Sequence, residues 1–143
     1  DANRKIRTNL KLGDGELNEG QVWEAALCAS KFGLDNLIAI VDYNHLQLDG
    51  PCETVMPIEP LGDKWRAFGW HVLEIDGHDM AAILGALDAA QAHVGTPTVL
   101  IATTVKGRGV SFMEGDPDWH GRAPNDGQYA AAMAELHTDR GLP

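Results

Sequence analysis

Hydrophobic and polar positions alternate along this chain in blocks of two different periods. Residues 5–12, "KIRTNLKL", set Ile6, Thr8, Leu10 and Leu12 against polar neighbours, which predicts a strand with one buried face. Residues 19–33 carry Val22, Trp23, Ala26, Leu27, Ser30 and Lys31 at helical spacing. Asn18 is placed to cap that helix and Gly33 to stop it. "LIAIVDY", 37–43, is a continuous apolar run, the pattern of a strand covered on both faces. A loop over 44–60 follows, broken by Gly50, Pro51, Pro57 and Pro60. The pattern then predicts a short helix over 61–68 and a strand over 70–76. An Ala-rich helix over 79–94 follows, with Met80, Ile83, Leu84 and Leu87 on one face, then a buried strand over 97–105. A loop dense in Gly, Asp, Trp and His spans 106–125, and a helix over 126–138 closes the pattern.

Strands and helices thus alternate as β-α-β-α-β-α-β-α. That order predicts an α/β fold, a parallel sheet with helices on both faces. In such folds ligands bind beyond the carboxyl ends of the strands. Gly13–Gly15, Asn44–Leu46, Gly77-His78 and the stretch from Lys106 all follow predicted strands, so they are expected along one sheet edge. The length, 143 residues, fits a single domain over 1–143, with no repeat or low-complexity tract.

Charge narrows the function classes. A formal net charge of −10 argues against nucleic acid or an anionic membrane as the partner, since both need a basic face. It leaves room for a phosphate ligand held by local backbone N–H groups or one Lys. Cys28 falls in the helical pattern and Cys52 in a loop, with no C-x-x-C pair, so reduced thiols in a cytoplasmic protein are expected. No apolar run is long enough to span a bilayer, and "DANRKIRTNLKL" has no signal-peptide core.

The chemistry centres on Gly13-Asp14-Gly15. Glycines fit any strand-to-helix turn, but an Asp between them repels a phosphate unless a divalent cation lies between. Mg²⁺ takes oxygen ligands: one or two carboxylates, with phosphates and water completing the set. Asn44 stands thirty residues after Asp14, one helix plus one strand, so both return to the same sheet edge. Asp14, the Asn44 amide and the Leu46 carbonyl are therefore the candidate metal ligands.

Together, "GDGELNEGQVWEAA", "LIAIVDYNHLQLDG", "TTVKGRGVSF" and "DWHGRAPN" resemble the transketolase family, over about residues 13–137. The resemblance implies the thiamine-diphosphate-binding fold, with thiamine diphosphate and Mg²⁺ (or Ca²⁺) as cofactors. It implies cofactor binding by Gly13, Asp14, Gly15, Glu16, Asn44, Leu46, Lys106 and His120, with the metal on Asp14, Asn44 and Leu46. It also implies catalytic roles for His120, which reaches the diphosphate and the substrate's reacting end, and for Glu19 and Glu24, which connect the cofactor sites of a dimer. Read from the residues alone, Glu19 and Glu24 are an acidic first helical turn, favourable to the helix dipole. His45 and His78 are expected to be structural, and Trp23, Trp65 and Trp70 to be core.

The implied reaction belongs to the pentose phosphate pathway: transfer of a two-carbon ketol unit from a ketose phosphate to an aldose phosphate. The chemistry is the cofactor's. The family carries a further segment before the GDG turn and a pyrimidine-binding domain after it. This chain therefore resembles part of the N-terminal subunit of a split transketolase, truncated at its N-terminus. A natural truncation, an engineered short form and an incomplete sequence all remain open. The expected partners are sugar phosphates and a pyrimidine-domain subunit, in a dimer or heterotetramer, and the isolated chain is expected to be inactive. The alternatives are a non-catalytic module of the same fold and another thiamine-diphosphate enzyme, such as a dehydrogenase E1 subunit or deoxyxylulose-phosphate synthase.

Overall fold

The structure, a computed structural model, describes residues 6–139. Lys5, where the first predicted strand begins, the N-terminal residues 1–4 and the last residues 140–143 lie outside the described range.

Four parallel strands form the main sheet: β1 (Thr8–Gly13), β2 (Leu37–Tyr43), β5 (His71–Asp76) and β6 (Thr98–Thr103), in the order β1-β2-β6-β5. Two-residue strands β3 (Leu46–Gln47) and β4 (Gly50–Pro51) make a small antiparallel hairpin within the loop after β2. The helices are α1 (Gly20–Lys31), α2 (Cys52–Val55), α3 (Leu61–Ala67), α4 (Met80–Ala92) and α5 (Asp126–Asp139). The predicted α/β class and parallel sheet are present.

The layers follow from residue parity along the strands. On β2, Ala39, Val41 and Tyr43 pack with Ala26 and Ala29 of α1 and with Leu61 and Trp65 of α3. Ile38 and Ile40 point the other way and meet Ala86, Leu87 and Ala90 of α4. A strand buried on both faces needs apolar residues at every position, as the run 37–43 supplies. The connections β1→β2 and β2→β5 advance across the sheet and put α1 and α3 on one face. The connection β5→β6 turns back and puts α4 on the other, as right-handed crossovers require.

Several local expectations are corrected. β1 does not bury a whole face: Leu12 is buried, but Leu10 is 45% and Ile6 69% exposed. It is the sheet edge among the described residues, and α4 does not extend over it. Asn18 does not cap α1. Residues Gly15–Asn18 form a 3-10 turn capped by Asp14, and Glu19 is the α1 N-cap, without a side-chain bond. On α4 the inward face is Ala86, Leu87 and Ala90, while Met80 and Leu84 are exposed. Cys52 is not a loop residue but opens α2 and is buried. Gly33 ends α1 as expected, at φ +58°. Trp65 and Trp70 are core, and Trp23 packs against them half-buried. Among the described residues no helix is long and apolar enough to cross a membrane.

Candidate functional site

Parallel pairing sets Gly13 against Asp42, and Asp42 against Ala102. The residues leaving β1, β2 and β6 therefore depart from one line. They enclose a cleft of about 600 Å³ lined by Lys11, Gly13, Asp14, Gly15, Glu16, Asp42, Asn44, Leu46, Gln47, Leu48, Lys106 and His120. Eight predicted cofactor-binding residues, Gly13, Asp14, Gly15, Glu16, Asn44, Leu46, Lys106 and His120, share this cleft. Glu19 and Glu24 do not line it: both are exposed on the first turns after it. Gly77-His78 reaches the same sheet edge but a different cleft, with Asp76, Thr104 and Arg108.

Asp14 is 2% exposed. Its Oδ1 accepts the Gly15 N–H at 2.8 Å, whereas its buried Oδ2 has no hydrogen-bond partner. A buried acceptor left unpaired costs about 1–3 kcal/mol, and more when charged. The same cleft holds Asn44, whose Oδ1 accepts the Leu46 N–H at 3.0 Å and shapes the turn into β3. His45, between them, adopts φ +64° with its ring 4.0 Å from that of Tyr43. A buried carboxylate in a cleft shared with an amide and a carbonyl is a donor set suited to a hard divalent cation.

The glycine N–H groups are already engaged. Gly13 N–H donates to Glu16 Oε2 at 2.6 Å and Gly15 N–H to Asp14. The basic side chains facing the cleft are Lys11, Lys106 and His120. Lys106 Nζ stands 3.3 Å from His120 Nδ1. The loop between them is pinned on itself. Gly107, at φ +71°, has no room for a Cβ against the Met113 carbonyl, and Gly115 N–H returns to the Lys106 carbonyl at 2.9 Å. Asp116 caps the 3-10 turn Pro117–His120, and Trp119 Nε1 donates to the Phe112 carbonyl at 2.9 Å. Glu135 of α5 accepts from Ser111 N and Oγ, which holds its carboxyl below the usual range. Asn125 and Gln128 cap α5 reciprocally. His120 thus projects from a braced loop.

Around the cleft, Asp42 accepts from Thr104 Oγ1 at 2.6 Å and pairs with Lys11 Nζ at 3.3 Å. Burial alone would raise Asp42, but the Thr104 and Lys11 contacts outweigh it and hold its carboxyl below the ordinary value. Tyr43 O–H donates to Glu59 Oε1 at 2.6 Å. Burial, then that carboxylate, pushes the phenol well above its usual range. His78 Nε2 accepts the Val105 N–H at 2.8 Å, a structural role.

The chain matches the family model described as transketolase, thiamine diphosphate binding domain, over residues 5–140. It belongs to the transketolase family. It is 47% identical over 128 residues to the 6-deoxy-6-sulfo-D-fructose transketolase subunit SqwG of Clostridium sp. (strain MSTE9), covering 90% of this chain and 46% of that one. It is 47% identical over 132 residues to an apulose-4-phosphate transketolase subunit of Actinobacillus succinogenes, covering 92% and 48%. A crystal structure of transketolase from Campylobacter jejuni superposes with a TM-score of 0.86 at 30% identity, over 95% of this chain and 21% of that one. The chain spans about half the length of these curated transketolase subunits.

Sequence reasoning missed Lys11, Asp42, Gln47 and Leu48 in this cleft. Lys11 stands directly before the Leu12-Gly13-Asp14 strand end, which was a visible signal for it. The others depend on the β3–β4 hairpin and strand register, which leave no mark at two residues per strand.

Proposed function

We propose that this chain forms the cation and diphosphate half of a thiamine-diphosphate site. That site would belong to an enzyme transferring a two-carbon ketol unit between sugars. The unpaired, buried Asp14 Oδ2 in a cleft shared with Asn44 and Leu46 carries this reading. Asp14, the Asn44 amide and the Leu46 carbonyl would hold Mg²⁺ (or Ca²⁺), which would offset the carboxylate's charge and make a diphosphate welcome. Lys106 and His120 face the same space and supply positive charge and a proton-carrying imidazole. When bound, thiamine diphosphate supplies the carbon–carbon chemistry. The chain's task is to hold, orient and neutralise.

A partner subunit with a pyrimidine-binding domain completes the site, in a dimer or heterotetramer. Two relatives are named as transketolase subunits, which supports a two-chain enzyme. Their named substrates carry a sulfo or a phosphate group, so sugars with an anionic end, sugar phosphates first, are the proposed substrates. Glu19 and Glu24, exposed on the residues that follow the cleft, would meet the second chain.

Isothermal calorimetry of thiamine diphosphate with and without Mg²⁺, on this chain mixed with a pyrimidine-domain subunit, tests the reading. Metal-dependent binding, lost in Asp14→Ala and weakened in Lys106→Met and His120→Ala, is expected. Recovery of ketol transfer in that mixture separates an enzyme subunit from a non-catalytic module of the same fold. Absence of any metal-dependent binding overturns the proposal.

A further inference from the structure

His71 and His93 meet at the amino ends of the strands, away from the cleft that holds Asp14. His71 opens β5 level with Thr98, which opens β6, and His93 is the C-cap of α4. Strands rising about 3.3 Å per residue put this end roughly 15–20 Å from that cleft. The two rings stack at 4.1 Å between centroids, with their planes 17° apart. Both residues are half-buried, so the pair keeps access to solvent. One nitrogen of each ring lies on a threonine hydroxyl: His93 Nε2 is 2.8 Å from Thr96 Oγ1, and His71 Nδ1 is 3.4 Å from Thr98 Oγ1. The other nitrogens, His93 Nδ1 and His71 Nε2, make no hydrogen bond among the described residues. The threonines stand two residues apart on the segment entering β6, and the rings are nearly parallel. The bonded nitrogens therefore share a side, and the free ones are left on the far edges of both rings. A ring that gives its N–H to a hydroxyl keeps a lone pair on its other nitrogen, the arrangement found in metal-ligating histidines. Two metal–nitrogen bonds of about 2 Å span up to about 4 Å, which matches the spacing of the stack. Burial, then the charge of His93, lowers the pKa of His71 and keeps that ring neutral at neutral pH.

We propose that His71 Nε2 and His93 Nδ1 together bind one divalent transition-metal ion of the Zn²⁺ class, which clasps the end of α4 to the start of β5. Imidazole suits Zn²⁺, Cu²⁺ and Ni²⁺, whereas Mg²⁺ takes oxygen ligands, so this site differs in chemistry as well as in place from the one proposed at Asp14. Two protein ligands leave the remaining positions to water. The carboxyl end of α4 favours a cation. The charged groups in the cleft that His93 lines are Asp35 and Arg7. Asp35 Oδ2 accepts the Gly95 N–H at 3.0 Å, and Arg7 donates to the Gln91 carbonyl at 3.0 Å, so both are held by the backbone rather than by the imidazoles. The inference is independent of the proposed function.

The test is a zinc chloride titration of the full, isotope-labelled chain in excess Mg²⁺ at about pH 7.5, above the ordinary histidine range. The imidazole nitrogen resonances, assigned through the backbone, are followed by nuclear magnetic resonance, which separates this pair from the other histidines and from the cysteines. His71 Nε2 and His93 Nδ1 should move together to metal-bound positions, saturating at one Zn²⁺ for the pair. His71→Gln should weaken binding at His93 by about tenfold or more, and His93→Gln should do the same at His71. Thr96→Val, which removes the hydroxyl behind His93, should weaken it by about tenfold. Zn²⁺ should also raise the urea midpoint of the parent, and neither Gln variant should show that rise. Rings that do not respond to Zn²⁺, or that bind through the threonine-bonded nitrogens, overturn the inference. So does a His93 affinity that His71→Gln leaves unchanged. The nitrogen assignment is read on the parent, so it decides the matter even where a variant fails to fold.

Discussion

Asp14→Asn isolates what the buried carboxylate does to the fold from what it does for a ligand. The substitution keeps an Oδ1 that can accept the Gly15 N–H, so the cap on the 3-10 turn survives. It replaces the partnerless Oδ2 by an uncharged NH₂. An unsatisfied buried acceptor costs about 1–3 kcal/mol, at the upper end for a carboxylate. An amide in its place still needs a partner, so the recoverable part is about 1–2 kcal/mol. For a chain of this size each kcal/mol moves the midpoint by roughly 2–4 °C, so a rise of about 2–8 °C is expected without metal. Saturation reverses the order. At a hundredfold excess over Kd, Mg²⁺ with thiamine diphosphate stabilises the parent by about 2.7 kcal/mol and the Asn variant not at all. Urea unfolding followed by fluorescence of the core tryptophans, in chelator and then in Mg²⁺ with cofactor and the partner subunit, reads both terms. A variant less stable than the parent in chelator would refute the claim that the unpaired Oδ2 costs the fold stability. Equal gains for both proteins on adding metal would refute its role as a ligand.

Trp65 and Trp70 offer a matched pair in one core cluster. Trp70 Nε1 donates to the Ala26 carbonyl at 3.0 Å, while the buried Trp65 Nε1 has no partner. Each Trp→Phe change removes similar volume, so Trp70→Phe should cost about 1–3 kcal/mol more than Trp65→Phe in urea titrations, and equal costs would contradict the assignment. Tyr43→Phe deletes the bond to Glu59. Because Glu59 is exposed, the expected loss is only about 1 kcal/mol. The Tyr43 hydroxyl is also the first cause holding Glu59 below its ordinary value. A lowered carboxyl stabilises above its unfolded pKa and loses that as pH falls through the folded one, so the Tyr43→Phe penalty should shrink in acid. His71 stacks on His93 at 4.1 Å, and burial, then the charge of His93, lowers its pKa. The unfolded chain then binds the proton more readily, so stability rises with pH and is lost as pH falls below about 6.5. His71→Gln should flatten the dependence of the urea midpoint between about pH 5 and 7, and an unchanged slope would remove His71 as its source.

The sheet was legible wherever burial was complete. Residues 37–43 carry apolar side chains at nearly every position because both faces are covered, and the strand has the predicted bounds. Legibility fell where burial was partial. Leu10, Leu27, Met80 and Leu84 look like core by spacing and lie exposed, because periodicity marks a face without saying whether anything covers it. Asn18 has the chemistry of a cap but loses the position to a competing turn, which Asp14 nucleates through its own carboxylate. At the site, the thirty-residue interval brought Asp14 and Asn44 together because helix and strand lengths fix where the chain returns.

The half-polar β1 strand now has a physical reading. Leu12 and Leu10 point toward α1, whereas Asn9 and Lys11 point to the α4 side, which α4 does not reach at β1. Polar residues there cost little, and Lys11 lies beside Asp42, two residues from Asn44, the proposed ligand. This arrangement depends on register. A slip of one residue between β1 and β2 would turn Leu12 outward and Lys11 into the α1 layer, so burial of Leu12 fixes which face Lys11 occupies. The same register sets Gly13 level with Asp42 and leaves Asp14 to bend into the turn with its second oxygen unpaired. The place of that unpaired oxygen is therefore tied to the apolar packing of the strands that precede it, by Leu12, Val41 and Ala39. Leu12→Ala loosens that register without touching a ligand. It should weaken metal-dependent cofactor binding as well as stability, in contrast to an equally destabilising Leu100→Ala in the α4 layer.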